Sequence, residues 1–332
     1  MTGMGVKNWK NMVPWRWAHV SELFIPKIAV DAPNYMMRRL STIRLTSSNK
    51  IPLAHVHITF GLIRQALRHH ILPVLLFDGP PESLKRKPNP ELITTAQMLY
   101  ERFLTKQDIY DIKIVEALRE SPALRMYFAV NHVKDLCRAA GIPGITAPSE
   151  AEMFGAVLCR EGLVGSVVSN DADALLFGSP HVIKSLQLSK GTMECTTLSE
   201  LERVLDLDLE LLRDLAIVCG CDFHKKGIKG LGPRKGAIEL RRYGGLKYLL
   251  RARGLSLSER EDYIRAREVF DEASFLSTKG VDLTLKPLIT PRLVKLLEPV
   301  MGKDNAETKT RELIQIWKMF GSTQTTLESF VS

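Results

Sequence analysis

Three apolar, β-leaning segments of the chain each run into a carboxylate: Phe24 to Val30 before Asp31, Ile71 to Phe77 before Asp78, and Ser166 to Ser169 before Asp171. Such near-continuous runs lack the alternation of a strand with one wet face, so each is predicted to be a buried strand of a parallel sheet. Between them, apolar positions recur at helical spacing, as over Thr59 to His70 and Tyr127 to Ala140. Strands alternating with helices predict an α/β fold with a central, mostly parallel sheet. In open sheets of this kind, sites gather outside the carboxyl ends of the strands, and the three acids stand there.

Two stretches break the alternation. Leu84 to Leu124 opens with Lys85, Arg86 and Lys87, is interrupted by Pro88 and Pro90, and then turns helical with no adjoining strand. It is predicted to be an excursion above the sheet. Leu198 to Arg267 reads as short helices with glycine-rich joints. Within it, Gly227-Ile-Lys-Gly-Leu-Gly232 followed by Pro233-Arg234-Lys235 predicts a tight hairpin entering a helix, with proline at the first helical position. Glycines let a backbone approach a phosphate, and a helix N-terminus offers it free amides, although a glycine-rich turn can equally be no more than a turn. Thr278 to Gly321 is weakly helical and carries no recognisable chemistry.

Charge shifts that balance. The 332 residues hold 46 Lys or Arg against 37 Asp or Glu, a formal charge of +9. Ten of the basic residues (Lys225, Lys226, Lys229, Arg234, Lys235, Arg241, Arg242, Lys247, Arg251 and Arg253) fall between Cys221 and Arg253, opposed by Asp222 and Glu239. A solvated helix face usually interleaves both signs, so this run favours a polyanionic partner held through its backbone. The five cysteines are dispersed and form no C-x-x-C pair, which indicates neither a disulfide framework nor a zinc site and fits a reducing compartment. The sequence shows no signal-peptide order and no apolar run approaching the roughly 20 residues that span a bilayer, so no membrane association is expected.

Seven acids occupy positions that a metal centre would use: Asp31, Asp78, Glu150, Glu152, Asp171, Asp173 and Asp222. With neither His nor Cys among them, the set suits hard cations such as Mg²⁺ or Mn²⁺. Gathered in one cleft, seven anions would repel one another unless divalent cations compensated them. Each acid has a plainer reading. Ser149-Glu150-Ala151-Glu152 opens an apolar helical run as a capping box would, and taken alone this is the better account of Glu152. Asp31, Asp78 and Asp222 could cap helices or end turns, and Asp171-Ala172-Asp173 could be an ordinary loop. The joint pattern of strand-end acids, E-x-E, D-x-D and a later G-C-D is far more specific than any one member.

The strings VDAPN (Val30 to Asn34), LSTIR (Leu40 to Arg44), FDGPPESLKRK (Phe77 to Lys87), APSEAE (Ala147 to Glu152), SNDADALLFGSP (Ser169 to Pro180) and GCDFHKKGIKGLGPRKGA (Gly220 to Ala237) resemble, in order and spacing, the signature blocks of flap endonucleases. The resemblance implies a PIN-like α/β nuclease fold, a helical arch above the active site and two metal ions. By residue-to-residue match, Asp31, Asp78, Glu150 and Glu152 resemble the ligands of the more tightly bound ion, and Asp171, Asp173 and Asp222 those of the second. Lys85 matches the family's basic residue that reaches the scissile phosphate. Gly5 and Arg44 match DNA contacts, as do Gly227, Lys229, Gly230, Gly232, Arg234 and Lys235 of a helix-hairpin-helix-type segment that in this family sometimes binds K⁺. Two positions depart from the family: Leu92 stands where an arch Arg is expected, and Met37 where an aromatic residue stacks on a base, with Tyr35 nearby.

The implied organisation is an N-terminal nuclease region over 1–130 with its arch at about 84–124, and an internal nuclease region over 131–270 with the hairpin segment at about 211–243. A C-terminal helical region then spans 271–321, and a tail spans 322–332. In that tail Gln324, Leu327 and Phe330 resemble a sliding-clamp-binding box, whose spacing lets one helical turn seat Leu327 and Phe330 in an apolar pocket. The function implied is that of a Mg²⁺-dependent 5′ flap endonuclease with 5′-3′ exonuclease activity, acting as a monomer on flapped and branched duplex DNA in lagging-strand processing and repair. Alternatives are another 5′ nuclease, either an exonuclease or a junction resolvase, or a catalytically weak DNA- and clamp-binding scaffold. A PIN-type ribonuclease is disfavoured, because nothing in the basic helices suggests base stacking or 2′-OH recognition. The box ends the chain without a basic tail, as in archaeal members; the expected place is the cytoplasm, or the nucleus for a eukaryotic protein.

Overall fold

The computed structural model describes residues 12–40, 51–79, 89–105, 112–170 and 172–331. Its strands are β1 (Arg16–His19), β2 (Lys27–Asp31), β3 (Leu72–Phe77), β4 (Gly144–Thr146), β5 (Ser166–Val168), β6 (His181–Gln187) and β7 (Thr192–Thr197). The helices of the first half are α1 (Ala32–Leu40), α2 (Ala54–Arg68), α3 (Pro90–Thr105), α4 (Ile112–Glu120), α5 (Pro122–Ala140), α6 (Ala151–Arg160) and α7 (Asp173–Leu176). Those of the second half are α8 (Leu198–Leu205), α9 (Leu209–Cys219), α10 (Pro233–Tyr243), α11 (Leu246–Ala252), α12 (Leu257–Glu272), α13 (Thr290–Met301) and α14 (Lys303–Val331). They gather into two compact units, one of Met1–Ile25, Asp78–Arg86 and Ala147–Gly280, the other of Pro26–Phe77, Lys87–Thr146 and Val281–Ser332.

The first unit orders its strands β1-β7-β6-β5, with β5 parallel to β6 and the β6-β7 and β7-β1 pairs antiparallel. Three of its helices begin where the sequence supplies caps: Thr197 with Glu200 and Ser256 with Glu259 form reciprocal capping boxes on α8 and α12, and the Asp208 carboxylate accepts from Leu211 N–H at 2.8 Å to start α9. Helix α10 lies close on α9 because residue 236 is glycine. A Cβ there would come within 2.7 Å of Leu215 Cδ1.

In the second unit β2, β3 and β4 are all parallel, with Val30 opposite Leu75 and Leu75 opposite Gly144. All six residues of β3 are buried, which is why its sequence reads as an unbroken apolar run. The fold is mixed α/β with mostly parallel strands, as the alternation predicted. The strand expected from Phe24 begins at Lys27 instead: Pro26 has no N–H for a ladder, and Phe24 is 97% exposed. The predicted excursion contains α3 and α4, which bury Tyr100, Phe103, Ile114, Val115 and Leu118 against Leu124 and Phe128 of α5. It therefore has an apolar core of its own.

Beside that core lies a buried polar pair. His55 Nε2 and His132 Nδ1 are 3.0 Å apart, and Tyr100, Phe103 and Phe128 surround the His132 ring. Burial holds His55 well below the ordinary histidine pKa, with His132 adding to the effect. Burial, with Arg292 nearby, pushes His132 down to about 3. The unfolded chain therefore takes up protons near pH 6.5 that the folded one refuses, and stability falls as pH drops below that value, by up to about 1.4 kcal/mol per pH unit for each ring. Urea unfolding at pH 7 and pH 4.5 should show this loss, and the double variant His55→Leu/His132→Leu should lose distinctly less over the same interval.

Candidate functional site

The six predicted acids within the described residues fall on element ends, and local geometry explains how each is set. Asp78 and Gly79 lie against the segment that enters α6. Gly79 N–H donates to Ser149 C=O at 2.7 Å, and a Cβ at Gly79 would sit 2.0 Å from the Ala147 carbonyl oxygen, so glycine is required for the approach. The Asp78 carboxylate then accepts from Ala151 N–H at 3.0 Å. That places it at the N-terminus of the helix whose first residues are flanked by Glu150 and Glu152. An anion at a helix N-terminus is favoured by the unpaired amides and the helix dipole.

This contact corrects the plainer reading of the E-x-E pair. The N-cap of α6 is Glu150, not Ser149, and it makes no side-chain capping bond. A carboxylate distant in sequence, Asp78, takes the Ala151 amide at the first position of the helix.

Asp173 opens α7, and Asp222 follows α9 across Gly220, whose φ of +91° turns the chain. Asp222 sits within a tight turn in which Cys221 N–H donates to His224 C=O and His224 N–H to Cys221 C=O, each at 3.1 Å. Burial raises the Cys221 thiol to about 11, and the nearby carboxylates of Asp173 and Asp222 contribute to that rise. The two acids thus face a common neighbour. Asp31, in the second unit, ends β2 with 8% exposure and accepts from Asn34 N–H at 3.0 Å, capping α1. Its cap reading is realised in the structure.

Among the described residues, no group of three or more His, Cys, Asp or Glu is close enough to hold a metal ion. Asp171 and Lys85 lie outside the described residues, as do Gly5 and Arg44. The donor chemistry nevertheless fits a hard divalent cation: Asp78, Glu150, Glu152, Asp173 and Asp222 offer only oxygen, and burial keeps the Cys221 thiol protonated.

The predicted hairpin forms as drawn. Gly227 and Gly230 have φ of +60° and +83°, Gly232 is the N-cap of α10, and Pro233 takes its first position. Gly227 is demanded by the fold, since a Cβ would meet backbone atoms of Val218 and Cys219 at 2.7 to 2.8 Å. Gly232 is different. Its φ is −90° and a Cβ there would meet nothing within 4 Å. Lys229, Arg234 and Lys235 are all exposed beside it. Two family departures also find a place: Leu92 is half-buried against the α3–α5 cluster, and Met37 is 41% exposed while the Arg39 guanidinium lies 3.6 Å over the Tyr35 ring.

Comparison with known proteins follows from this geometry. The model of the XPG N-terminal domain matches residues 4–91, and that of the XPG I-region residues 141–222. Flap endonuclease 1 of Methanocaldococcus jannaschii is 30% identical over 291 residues, 85% of this chain and 86% of the relative. The chain belongs to the XPG and flap endonuclease family of nucleases. Flap endonuclease 1 of Pyrococcus abyssi is 32% identical over 253 residues, 70% of this chain and 73% of the relative. The structure of flap endonuclease-1 from Methanococcus jannaschii superposes with a TM-score of 0.69 at 25% identity, covering 94% of this chain and 98% of that one. Human GEN1 in complex with Holliday junction DNA shares the fold, with a TM-score of 0.68 at 20% identity over 96% of this chain and 79% of that one.

Sequence reasoning missed the residues that brace this nuclease site. Arg213 on α9 is 5% exposed, donates Nε–H to the Leu176 carbonyl at the end of α7 at 2.7 Å, and pairs with Glu210 and Asp271. Asp214, its neighbour, accepts from Leu246 N–H at the start of α11 at 2.8 Å and from Arg267 of α12 at 2.9 Å. Within α9 the adjacent pair Arg213-Asp214 interrupts an apolar run, and nothing local names the partners of either residue.

Because the fold leaves space at Gly232, Gly232→Ala should cost no more than about 1 kcal/mol of stability as an N-cap change. Duplex-DNA affinity, read by fluorescence anisotropy, should nonetheless fall several-fold; unchanged affinity would remove the hairpin from the interface.

Proposed function

We propose that this chain is a structure-specific 5′ flap endonuclease, with 5′-3′ exonuclease activity, that hydrolyses phosphodiester bonds of branched DNA with two Mg²⁺ ions, for which Mn²⁺ can substitute. The observation that carries this reading is the Asp78 carboxylate on the Ala151 amide, which delivers a strand-end acid to the helix start bearing Glu150 and Glu152 in a chain of this nuclease family. Asp78, Glu150 and Glu152 would hold one ion and Asp173 and Asp222 the other; Asp31 and Asp171 are assigned from the resemblance. Bound there, divalent cations supply the charge that activates water and stabilises an in-line displacement at phosphorus.

The chain's own groups do the remainder. Lys85 would neutralise the scissile phosphate. The hairpin of Gly227, Lys229, Gly230 and Gly232, with Arg234 and Lys235, would hold the duplex backbone, with K⁺ as an additional ligand. Gly5 and Arg44 would add DNA contacts. Such contacts fix position without reading sequence, so recognition is of DNA shape and weakens steeply with salt. Replication and repair of lagging-strand flaps is the corresponding role.

A panel of 5′-flap, nicked, gapped and four-way DNAs, assayed with and without Mg²⁺, tests the reading: the flap should be cut fastest and only with metal. Asp173→Ala should bind flap DNA within about twofold of wild type while losing at least about 10³-fold in cleavage rate. Cleavage at the wild-type rate would sink the metal assignment.

We also propose that Gln324, Leu327 and Phe330 bind a sliding clamp. Their backbone lies in α14, and an amphipathic helical turn fits an apolar groove. Truncation after Ser322 should abolish clamp binding in calorimetry and spare cleavage of an isolated flap.

A further inference from the structure

Tyr263, on α12, is 9% exposed and makes two contacts with different pieces of the site. Its hydroxyl donates to the Gly227 carbonyl at 2.6 Å. Its ring packs on that of His224, the centroids 4.0 Å apart and the planes tilted by 31°. Just Lys225 and Lys226, both exposed, separate the two contacted residues in sequence.

Each contacted residue controls something. His224 closes the turn around Asp222 through its paired backbone hydrogen bonds to Cys221. The His224 ring has a buried Nδ1 with no hydrogen-bond partner among the described residues, so stacking on Tyr263 is what orients it. Gly227 seats the hairpin: its neighbour Ile228 donates N–H to the Val218 carbonyl at 2.7 Å, and the fit against Val218 and Cys219 leaves no room for a Cβ. A phenylalanine at 263 would fill the same space and keep the stack, yet would leave the Gly227 carbonyl without its donor.

We propose that Tyr263 is a positioning residue that ties the duplex-gripping hairpin to the turn bearing Asp222. The hydroxyl fixes the height at which the hairpin amides meet a phosphate; the ring fixes the turn that aims the Asp222 carboxylate. Grip on the duplex and the geometry of one metal acid are therefore set by a single buried side chain. This rests on the reading above, in which the hairpin binds duplex DNA and Asp222 holds a divalent ion.

The two arms can be read without turnover. Duplex affinity is measured by anisotropy on a 5′-flap substrate in EDTA, and metal affinity by electron paramagnetic resonance of Mn²⁺ with the full chain and no DNA. Tyr263→Phe should raise the duplex Kd about fivefold, the worth of one ordinary hydrogen bond, with Mn²⁺ affinity within about twofold of wild type. His224→Ala, which keeps the hydroxyl, should do the reverse, weakening Mn²⁺ about fivefold or more and sparing the duplex. Tyr263→Leu should lose both. Since Tyr263→Phe and His224→Ala are small changes, thermal unfolding serves as the check that each is folded. Wild-type duplex affinity in Tyr263→Phe, or wild-type Mn²⁺ affinity in His224→Ala, overturns the inference. Failure of the underlying reading looks different: the unaltered protein itself would not bind the duplex, or Asp222→Asn would leave its Mn²⁺ binding untouched.

Discussion

The carboxylate of Asp78 on the backbone amide of Ala151 is the contact on which the site depends. It joins two stretches more than seventy residues apart in sequence. At 3.0 Å it is a hydrogen bond of ordinary length, placed where the first amides of a helix lack partners within the helix. Glycine at 79 makes the approach possible, since any side chain would strike the Ala147 carbonyl. Asp78 thereby stands at the start of α6, where Glu150 is the N-cap and Glu152 lies in the first turn.

A second constraint keeps the remaining acids in place. Adjacent residues on α9 work in opposite directions: Arg213 reaches the end of α7, and Asp214 reaches the start of α11 and Arg267 of α12. Arg267 also bonds Asp271 and Glu210. The consequence is that α7, which begins at Asp173, and α9, which leads to Asp222, are braced by the same charge network that holds the basic helices. Glu210 and Asp271 lie at the solvent edge of this network, while Arg213 is buried, so loss of its acidic partners would leave a buried cation uncompensated. The network earns its place through geometry, fixing where elements start and stop.

The second unit is organised by apolar burial instead. Strands β2 and β3 are buried along almost their whole length, and α13 and α14 add Leu293, Leu296, Leu297 and Leu313 to the apolar cluster that includes β3. That explains how Thr278 to Gly321, weak in periodicity and empty of chemistry, still matters: it supplies wall, not function. Leu92 likewise leans on the α3–α5 cluster.

Local signals in the chain determined a good deal by themselves. Unbroken apolar runs before Asp31, Asp78 and Asp171 marked the buried strands β2, β3 and β5, because a strand dry on both faces has no polar positions to spare. The sequence Gly227 to Pro233 marked the hairpin and the start of α10, because left-handed φ and a missing N–H suit particular residues. Tertiary structure alone decided the rest. Which group takes the Ala151 amide at the start of α6 was decided by Asp78, a residue far away in sequence. The bracing by Arg213, Asp214 and Tyr263 left no local mark, because a buried Arg or Tyr in a helix looks the same in sequence whatever its partner is. Hydrogen bonds between distant segments depend on where the chain returns, and no short window of residues contains that.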